Sequence, residues 1–152
     1  MVENWLLERI EEIIKRPIFE QTAKWLEDKD ILLVLGSRQV GKTFLLWWLI
    51  GLVLNKKKVS GNNVFYFDLE SPALCEKFNS FEAKDFYDFL IAQKADASKR
   101  IFVFIDEIQY LNDPGRFLKP VHDYFPLIKL ITSGSSSLDI RRKFKQSLTG
   151  RT

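Results

Sequence analysis

The sequence predicts an α/β fold in three layers, with helices on both faces of a parallel β-sheet. Four short, mostly apolar runs rich in β-branched or aromatic residues have the length and composition of strands. These runs are almost continuously apolar, which is typical of strands covered on both faces, as in a parallel sheet. Segments long enough for crossover helices separate them, so strand and helix alternate and right-handed crossovers are expected.

Two helices are predicted before the first strand. Apolar residues recur at helical spacing from Trp5 to Ile14, and Pro17 ends this pattern. A second helical pattern runs from Ile18 to about Glu27. At 152 residues the chain has the length of one ordinary domain. We therefore expect a single domain over 1–152, with N-terminal helices in 1–30 and the sheet with its site in 31–152.

The sheet region contains four predicted strands and three predicted helices. The strands are expected at 31–35, 64–68, 101–106 and 127–133. The helices are expected at 42–55, 82–93 and 113–124. The polar stretches at 55–63 and 94–100 are predicted to be solvated loops. Each of the first three strands is thus followed by a helical segment, as a parallel sheet requires.

Composition sets few limits on partners and several on chemistry. With 23 Lys+Arg against 20 Asp+Glu, the net charge of +3 is too small to indicate a nucleic-acid or membrane partner. The single cysteine, Cys75, cannot form an internal disulfide, and the lone His122 has no second imidazole with which to share a zinc ion. These features suit a reducing cytoplasm, which is the expected location.

No segment predicts export or membrane insertion. The start of the chain mixes acids with apolar residues and lacks the continuous apolar region of a signal peptide. The longest apolar run, at 44–54, is about half of the ~20 residues needed to cross a bilayer. This run is predicted to be a helix buried in the core.

The loop after the first strand carries a phosphate-binding motif. Gly36, Gly41, Lys42 and Thr43 satisfy G-x-x-x-x-G-K-[ST], directly after a predicted strand and at the start of a predicted helix. Backbone N–H groups of such a loop, the helix dipole and the lysine charge can hold phosphates, and the threonine hydroxyl can bind Mg²⁺. The alternative is a simple turn between strand and helix.

The predicted nucleotide contacts extend over the whole loop and into the helix. They are Gly36, Ser37, Arg38, Gln39, Val40, Gly41, Lys42, Thr43 and Phe44. Most side chains of such a loop point outward. For Arg38 and Gln39, exposure to solvent is therefore an equal alternative to ligand contact.

Two carboxylates follow the third predicted strand. Asp106 and Glu107 come after a buried apolar run, at the carboxyl end of the strand, where ligands bind in sheets of this kind. Asp106 is suited to holding Mg²⁺, usually through water, and Thr43 is the second predicted metal ligand. Glu107 can face the γ phosphate and act as general base toward an attacking water. The alternative is an exposed acidic turn.

The fourth predicted strand ends in hydroxyl groups. Ser133 could donate a hydrogen bond to the γ phosphate or to the attacking water, and so report which nucleotide is bound. Lys42, Glu107 and Ser133 are therefore the predicted catalytic residues. Ser135, Ser136 and Ser137 are equally consistent with a serine-rich loop that caps a following helix.

Together these segments resemble the AAA-like P-loop ATPases of the additional-strand class. More narrowly, "VLGSRQVGKTFLL", "FIDEIQYL", "TSGSSS" and "SLTGR" look like the bacterial and archaeal ATPases whose AAA-type module is followed by a C-terminal DUF4143 domain. The resemblance runs from about Arg16 to the end of the chain, and Gln109 also matches the family's pattern. Two departures are Ser37, where the family usually has proline, and Phe44, where it often has threonine.

The resemblance implies an ATP-binding and ATP-hydrolysing module that uses ATP, ADP and Mg²⁺. One alternative is a nucleotide-gated switch that organises a DNA- or protein-binding surface with negligible hydrolysis. Another is a small-molecule kinase, although no acceptor-binding lid is evident. No "NKxD"-like tetrad for guanine occurs, which favours adenine.

The resemblance also implies the sheet order 5-1-4-3-2, with strand five absent from this chain. The first strand would then be an edge, which invites pairing with another chain. We therefore expect a fragment of a longer protein, completed by its C-terminal domain, or self-association through this edge. Arg151 could reach a neighbour's γ phosphate or be disordered, and the basic segment 141–146 could touch nucleic acid or form a solvated face.

Overall fold

The computed structural model of the protein describes residues 17–135. Several expectations fall outside this range. They concern the helix expected before Pro17, the serines at 136 and 137, the basic segment 141–146, and Arg151.

The described residues contain a four-stranded sheet in the order β1-β4-β3-β2, with every neighbouring pair parallel. Its strands are β1 (Leu32–Gly36), β2 (Val64–Asp68), β3 (Ile101–Asp106) and β4 (Ile128–Ser135). The α/β class and the order 1-4-3-2 confirm the prediction. β4 is longer than expected, because pairing with β1 continues as far as Ser135 opposite Gly36. Ser135 therefore belongs to the strand and not to a loop.

Five helices accompany the sheet in this part of the chain. They are α1 (Pro17–Ala23), α2 (Lys42–Asn55), α3 (Pro72–Ser80), α4 (Ala83–Ala92) and α5 (Pro114–Tyr124). The prediction for α1 was too long, since the chain tightens into a 3₁₀ turn at Lys24–Leu26. The prediction missed α3, which buries only Phe78 and so lacks the apolar stripe that marks an amphipathic helix.

The helices form a layer on each face of the sheet. On one face, α2 contributes Leu46 and Ile50 to a core shared with Phe104 of β3. On the other face, Phe86 of α4 and Leu118 of α5 pack with Val103 of β3. Alternate residues of β3 thus enter opposite cores, which explains why every residue of this central strand is buried.

The long apolar run is the buried helix α2, as predicted. Eight of its residues are buried, on more than one side, because it lies under α1 and against the sheet. None of the helices in residues 17–135 is long and apolar enough to cross a membrane.

The amino ends of β3 and β4 are tied to the segment that precedes β1. The Lys129 side chain is buried, and its Nζ donates a 2.5 Å hydrogen bond to the carbonyl oxygen of Asp30. The Arg100 guanidinium donates to the carbonyl oxygens of Glu27, at 3.1 Å, and Asp28, at 2.6 Å. These cationic side chains lie at the end of the sheet opposite the phosphate-binding motif.

Candidate functional site

The glycine-rich loop joins β1 to α2 and has the backbone shape that its sequence indicates. Gln39 (φ 63°) and Gly41 (φ 91°) both lie in the left-handed region, and Gly41 immediately precedes α2. A Cβ atom on Gly36 would lie 2.8 Å from Val40 Cγ2, so a side chain there would displace the loop. Glycine at positions 36 and 41 allows the tight turn that starts the helix.

The side chain of Lys42 folds back over this loop. Lys42 is buried, and its Nζ donates to the carbonyl oxygens of Gly36, at 3.1 Å, and Ser37, at 2.9 Å. Within residues 17–135 no carboxylate pairs with this ammonium group. The loop therefore holds a buried positive charge at the amino end of α2, where the helix dipole also favours an anion.

Thr43 links the loop to the end of β3. Its hydroxyl donates a 2.6 Å hydrogen bond to Oδ2 of Asp106. The same carboxylate oxygen accepts a 3.1 Å bond from the Tyr66 hydroxyl, and Oδ1 accepts from the Ser133 hydroxyl and, at 3.1 Å, from the Glu107 N–H. Asp106 is therefore a buried carboxylate held by four donors, three of which are hydroxyl groups from separate parts of the fold.

Tyr66 is buried beside this carboxylate. Burial raises the pKa of the Tyr66 phenol, and the negative charge of Asp106 raises this pKa further. Both effects disfavour the phenolate, so the neutral hydroxyl remains a donor to Asp106.

Ser133 lies on β4 between the two acidic residues. Its hydroxyl donates to Asp106 and accepts a 3.2 Å hydrogen bond from the backbone N–H of Glu107. β4 is the direct neighbour of β3, which is why a residue near its end reaches both acids. The side chain is fully buried.

Glu107 has an unusual backbone conformation directly after β3. Its φ of 57° and ψ of 48° are left-handed, and it begins the 3₁₀ turn Ile108–Tyr110. This conformation is uncommon for a residue other than glycine and is often found at functional sites. The Glu107 carboxylate accepts a hydrogen bond from the side-chain amide of Gln109, whose oxygen accepts a 3.1 Å bond from the Ser135 N–H.

The structure brings most of the predicted site residues together at the carboxyl ends of β1, β3 and β4. A cavity of about 300 Å³ opens there. Its lining consists of Gln39, Gly41, Lys42, Thr43, Phe44 and Glu107. Asp106 and Ser133 lie just beneath this lining, connected to it by the hydrogen bonds of Thr43 and Glu107.

Some predicted contacts lie away from this lining, and two residues that line it, Gln39 and Phe44, are exposed to solvent. Ser37, Arg38 and Val40 are on the exposed side of the loop, where the Arg38 guanidinium approaches the Tyr110 hydroxyl at 3.4 Å. Phe44 is half exposed and packs edge-on against Trp47 at 5.3 Å between ring centroids. The solvent-exposed alternative for Arg38 and Gln39 therefore agrees with their positions in this structure, although Gln39 also lines the cavity.

Sequence reasoning missed Tyr66 and the contacts of Gln109. Tyr66 was placed in an apolar strand, and a buried tyrosine hydroxyl normally needs a partner. The buried tyrosine thus indicates that its hydroxyl has a hydrogen-bond partner. Which residue is the partner depends on the register between the strands, in which Asp68 of β2 lies opposite Asp106 of β3.

The residues present fit a magnesium ion bound together with phosphate. The Thr43 hydroxyl and the Asp106 carboxylate are adjacent oxygen groups, which Mg²⁺ prefers. In residues 17–135 no group of three or more His, Cys, Asp or Glu residues could hold a metal ion unaided. A hard cation here would therefore also need phosphate oxygens and water as ligands.

A glycine-rich loop between strand and helix, with Lys42 and Thr43 at the helix start and Asp106 ending a nearby strand, defines the fold as that of the P-loop nucleotide-binding proteins. The chain belongs to the AAA domain family, whose model matches residues 28–152. It is thus a nucleotide-binding, ATPase-like module. No curated protein matches the sequence significantly.

Two solved structures are similar to this chain in fold. C. elegans PCH-2 is similar with a TM-score of 0.54 and 14% identity, over 97% of this chain and 42% of that one. Domain III of the Thermotoga maritima replication initiation protein DnaA is similar with a TM-score of 0.51 and 17% identity, over 92% of this chain and 62% of that one. The present chain therefore spans less than two thirds of either structure, and the likeness concerns the fold.

Proposed function

We propose that this chain binds ATP and ADP at the loop 36–44 and hydrolyses ATP with the help of Mg²⁺. The observation that carries the proposal is the Lys42 ammonium group, which is buried and whose described hydrogen bonds go to neutral carbonyl groups. A buried charge without a counter-charge is costly, and a phosphate anion would supply one. Adenine is preferred because the sequence has no guanine-type tetrad.

Binding would begin with the phosphates. The N–H groups at the start of α2 and the positive end of its dipole favour an anion in the cavity beside Gly41 and Thr43. Lys42 would exchange the carbonyl oxygens of Gly36 and Ser37 for the more strongly accepting oxygens of the β and γ phosphates. Because Gln39 and Phe44 line the same cavity, they would contact the nucleotide as well.

The Thr43 hydroxyl and the Asp106 carboxylate would hold Mg²⁺ beside the phosphates, directly or through water. The bound ion would neutralise charge that develops on the phosphate oxygens. Tyr66 and Ser133 would keep the Asp106 carboxylate in place, because both donate hydrogen bonds to it.

Hydrolysis would use Glu107 as the general base. Its carboxylate lines the cavity that contains Lys42 and Thr43, so it is placed to accept a proton from a water molecule that attacks the γ phosphate. Ser133 would orient this residue through the N–H of Glu107. Most of the rate enhancement would come from positioning and electrostatics, as in other phosphoryl transfers.

The narrower assignment, to cytoplasmic ATPases whose module precedes a C-terminal DUF4143 domain, belongs to this proposal and rests on the motifs "GSRQVGKT" and "DEIQ". So does the expectation that the side of β1 with which no strand of residues 17–135 pairs is covered by that domain or by a second copy of the chain. All residues of β1 are only half buried, in contrast to β3. A concentration-independent monomer in analytical ultracentrifugation would count against self-association.

Calorimetric titration with ATP, with and without Mg²⁺, tests the central claim. We expect Lys42→Ala to weaken binding by about 30-fold or more, since losing one partner of a buried charged contact costs roughly 2–5 kcal/mol. Lys56→Ala, an exposed lysine beyond the other end of α2, is the matched control and should bind normally. Equal ATP binding by wild type and Lys42→Ala would refute the assignment of the loop.

A further inference from the structure

Gln109 joins the proposed base Glu107 to the end of β4. Its amide nitrogen donates a hydrogen bond to the Glu107 carboxylate. Its amide oxygen accepts a 3.1 Å hydrogen bond from the backbone N–H of Ser135, the last residue of β4. One side chain therefore contacts both the proposed catalytic carboxylate and the strand that carries Ser133.

The Ser135 backbone fixes which way this amide points. A backbone N–H group can only donate, so the Gln109 atom that faces it must be the oxygen. The NH₂ group then faces Glu107, where an ionised carboxylate is the acceptor that it needs. The reverse orientation would place a donor against a donor and an acceptor against an acceptor.

The turn that carries Gln109 is anchored in the core. Ile108, the first residue of this turn, is 0% exposed, and Leu111, which follows the turn, is 2% exposed. A 3.1 Å hydrogen bond from the Tyr110 N–H to the Glu107 carbonyl closes the turn. The buried residues and this hydrogen bond therefore fix the left-handed backbone of Glu107. The direction of its carboxylate is set by side-chain contacts.

We propose that Gln109 is a positioning residue. It holds the Glu107 carboxylate in the orientation used for the attack on ATP, and it transmits the state of that carboxylate to the end of β4 at Ser135. The catalytic half of this inference rests on the proposed function. The link itself does not, because both contacts lie within this chain's own residues.

Hydrogen exchange of the Ser135 amide, followed by NMR on the ¹⁵N-labelled full chain, tests the link directly. Gln109→Met keeps the side-chain length and removes the acceptor, so we expect exchange at Ser135 to be tenfold faster or more. Glu107→Ala should also speed it, because Gln109 loses its second anchor. Gln93→Met, at an exposed position, is the matched control and should leave it unchanged. Unchanged exchange in Gln109→Met or in Glu107→Ala would overturn the link, provided that the β3 amides stay protected.

ATP turnover tests the catalytic half. We expect Gln109→Met to lower kcat by about 10- to 100-fold, the loss that is typical when the hydrogen-bond partner of a metal-ligating side chain is removed, with ATP affinity within about twofold of wild type. Adding Gln109→Met to Glu107→Gln should cause no further loss, because the two residues act as one unit. An unchanged or raised kcat, or losses that multiply, would contradict the positioning role.

The two proposals can fail separately. If Lys42→Ala binds ATP as tightly as wild type, the proposed function fails, and the Ser135 measurement on the nucleotide-free chain still decides the link. If ATP binding depends on Lys42 but Gln109→Met turns over ATP normally, the proposed function stands and the positioning role fails.

Discussion

The hydroxyl of Thr43 lies 2.6 Å from Oδ2 of Asp106 and donates a hydrogen bond to it, across 63 positions of sequence. The bond connects the first turn of α2 to the end of β3. β1 and β3 are not neighbours, because β4 lies between them. The contact therefore spans the width of β4, and it places two oxygen groups suited to magnesium beside the phosphate-binding loop.

Replacing Thr43 with valine is predicted to weaken the magnesium dependence of ATP binding. Valine keeps the shape of threonine but cannot bind the ion or donate to Asp106. Since a hydrogen bond to a charged group is worth about 1.5–3 kcal/mol, the Mg²⁺-dependent gain in affinity should fall by roughly tenfold or more. Titration with ATP in the presence and absence of Mg²⁺ measures this gain.

Thr22→Val is a matched control for this change. The Thr22 hydroxyl is also bonded, at 2.7 Å to the Ile18 carbonyl, but it lies in α1. The control should keep the magnesium effect. A Thr43→Val chain that retains the full effect would show that this hydroxyl does not hold the ion.

Replacing Glu107 with glutamine is predicted to stop turnover while leaving ATP binding within about twofold of wild type. Glutamine fills the same space but cannot accept a proton, and general bases typically contribute about 10²–10⁴ in rate. Phosphate release measures turnover, and Glu70→Gln, an exposed acid just after β2, is the control. Wild-type turnover by Glu107→Gln would mean that another group is the base. Full biological activity without turnover would favour a nucleotide-gated switch.

The strands were predictable because their signals are local, whereas the strand order was implied by the resemblance to the AAA-like P-loop ATPases. β2 and β3 have the predicted bounds, since each is a short apolar run that ends in aspartate. The helix α3 was not predictable from its apolar pattern, because most of its residues stay at the surface. Its remaining signal was a proline at the first helical position, Pro72, which is common to helix starts and turns.

The candidate site was predictable only as far as its motifs are contiguous. Lys42 and Thr43 stand in one motif, and Asp106 and Glu107 stand together at a strand end. The contact of Tyr66 with Asp106 depends on the register between β2 and β3, and that of Gln109 with Ser135 on how far β4 extends. Such long-range relationships are fixed by the assembled sheet, and local spacing does not encode them.

Substitutions at two adjacent residues of β4, Thr132 and Ser133, are predicted to change stability in opposite directions. Thr132 is fully buried, and its hydroxyl has no hydrogen-bond partner among the residues that the structure describes. Thr132→Val should therefore raise the free energy of unfolding by about 1 kcal/mol, because an unsatisfied buried hydroxyl is removed without a cavity. Ser133→Ala should lower it by about 1 kcal/mol, since Asp106 and Glu107 each lose a partner.

Urea denaturation at neutral pH measures both changes. Equal slopes for the variants and wild type would confirm that the midpoints report stability alone. Loss of stability in Thr132→Val would show that this hydroxyl has a partner after all, and unchanged stability in Ser133→Ala would show that its two contacts contribute little.

Because the Lys129 side chain is buried, the protein is predicted to become more stable as the pH rises from about 8 to 10.5. Burial, aided by repulsion from Arg100, lowers the pKa of this lysine from 10.5 to about 8, against the attraction of Asp28 and Asp30. Between these values the unfolded chain keeps the proton that the folded chain has lost. The unfolded state then binds more protons, so the free energy of unfolding rises with pH, by up to about 3 kcal/mol.

Lys129→Met isolates this effect, because methionine fills a similar volume without a titrating group. The variant should be most stable relative to wild type below pH 8, where the wild-type lysine stays charged in the folded state. This difference in stability should decline toward pH 10.5, because the wild-type lysine then loses its proton on folding at little cost. Urea denaturation at a series of pH values measures the difference, and Lys29→Met, at an exposed lysine in the segment that precedes β1, is the matched control. Parallel pH profiles for wild type and Lys129→Met would mean that the Asp30 carbonyl, which accepts from Nζ, and the nearby carboxylates compensate the buried charge in full.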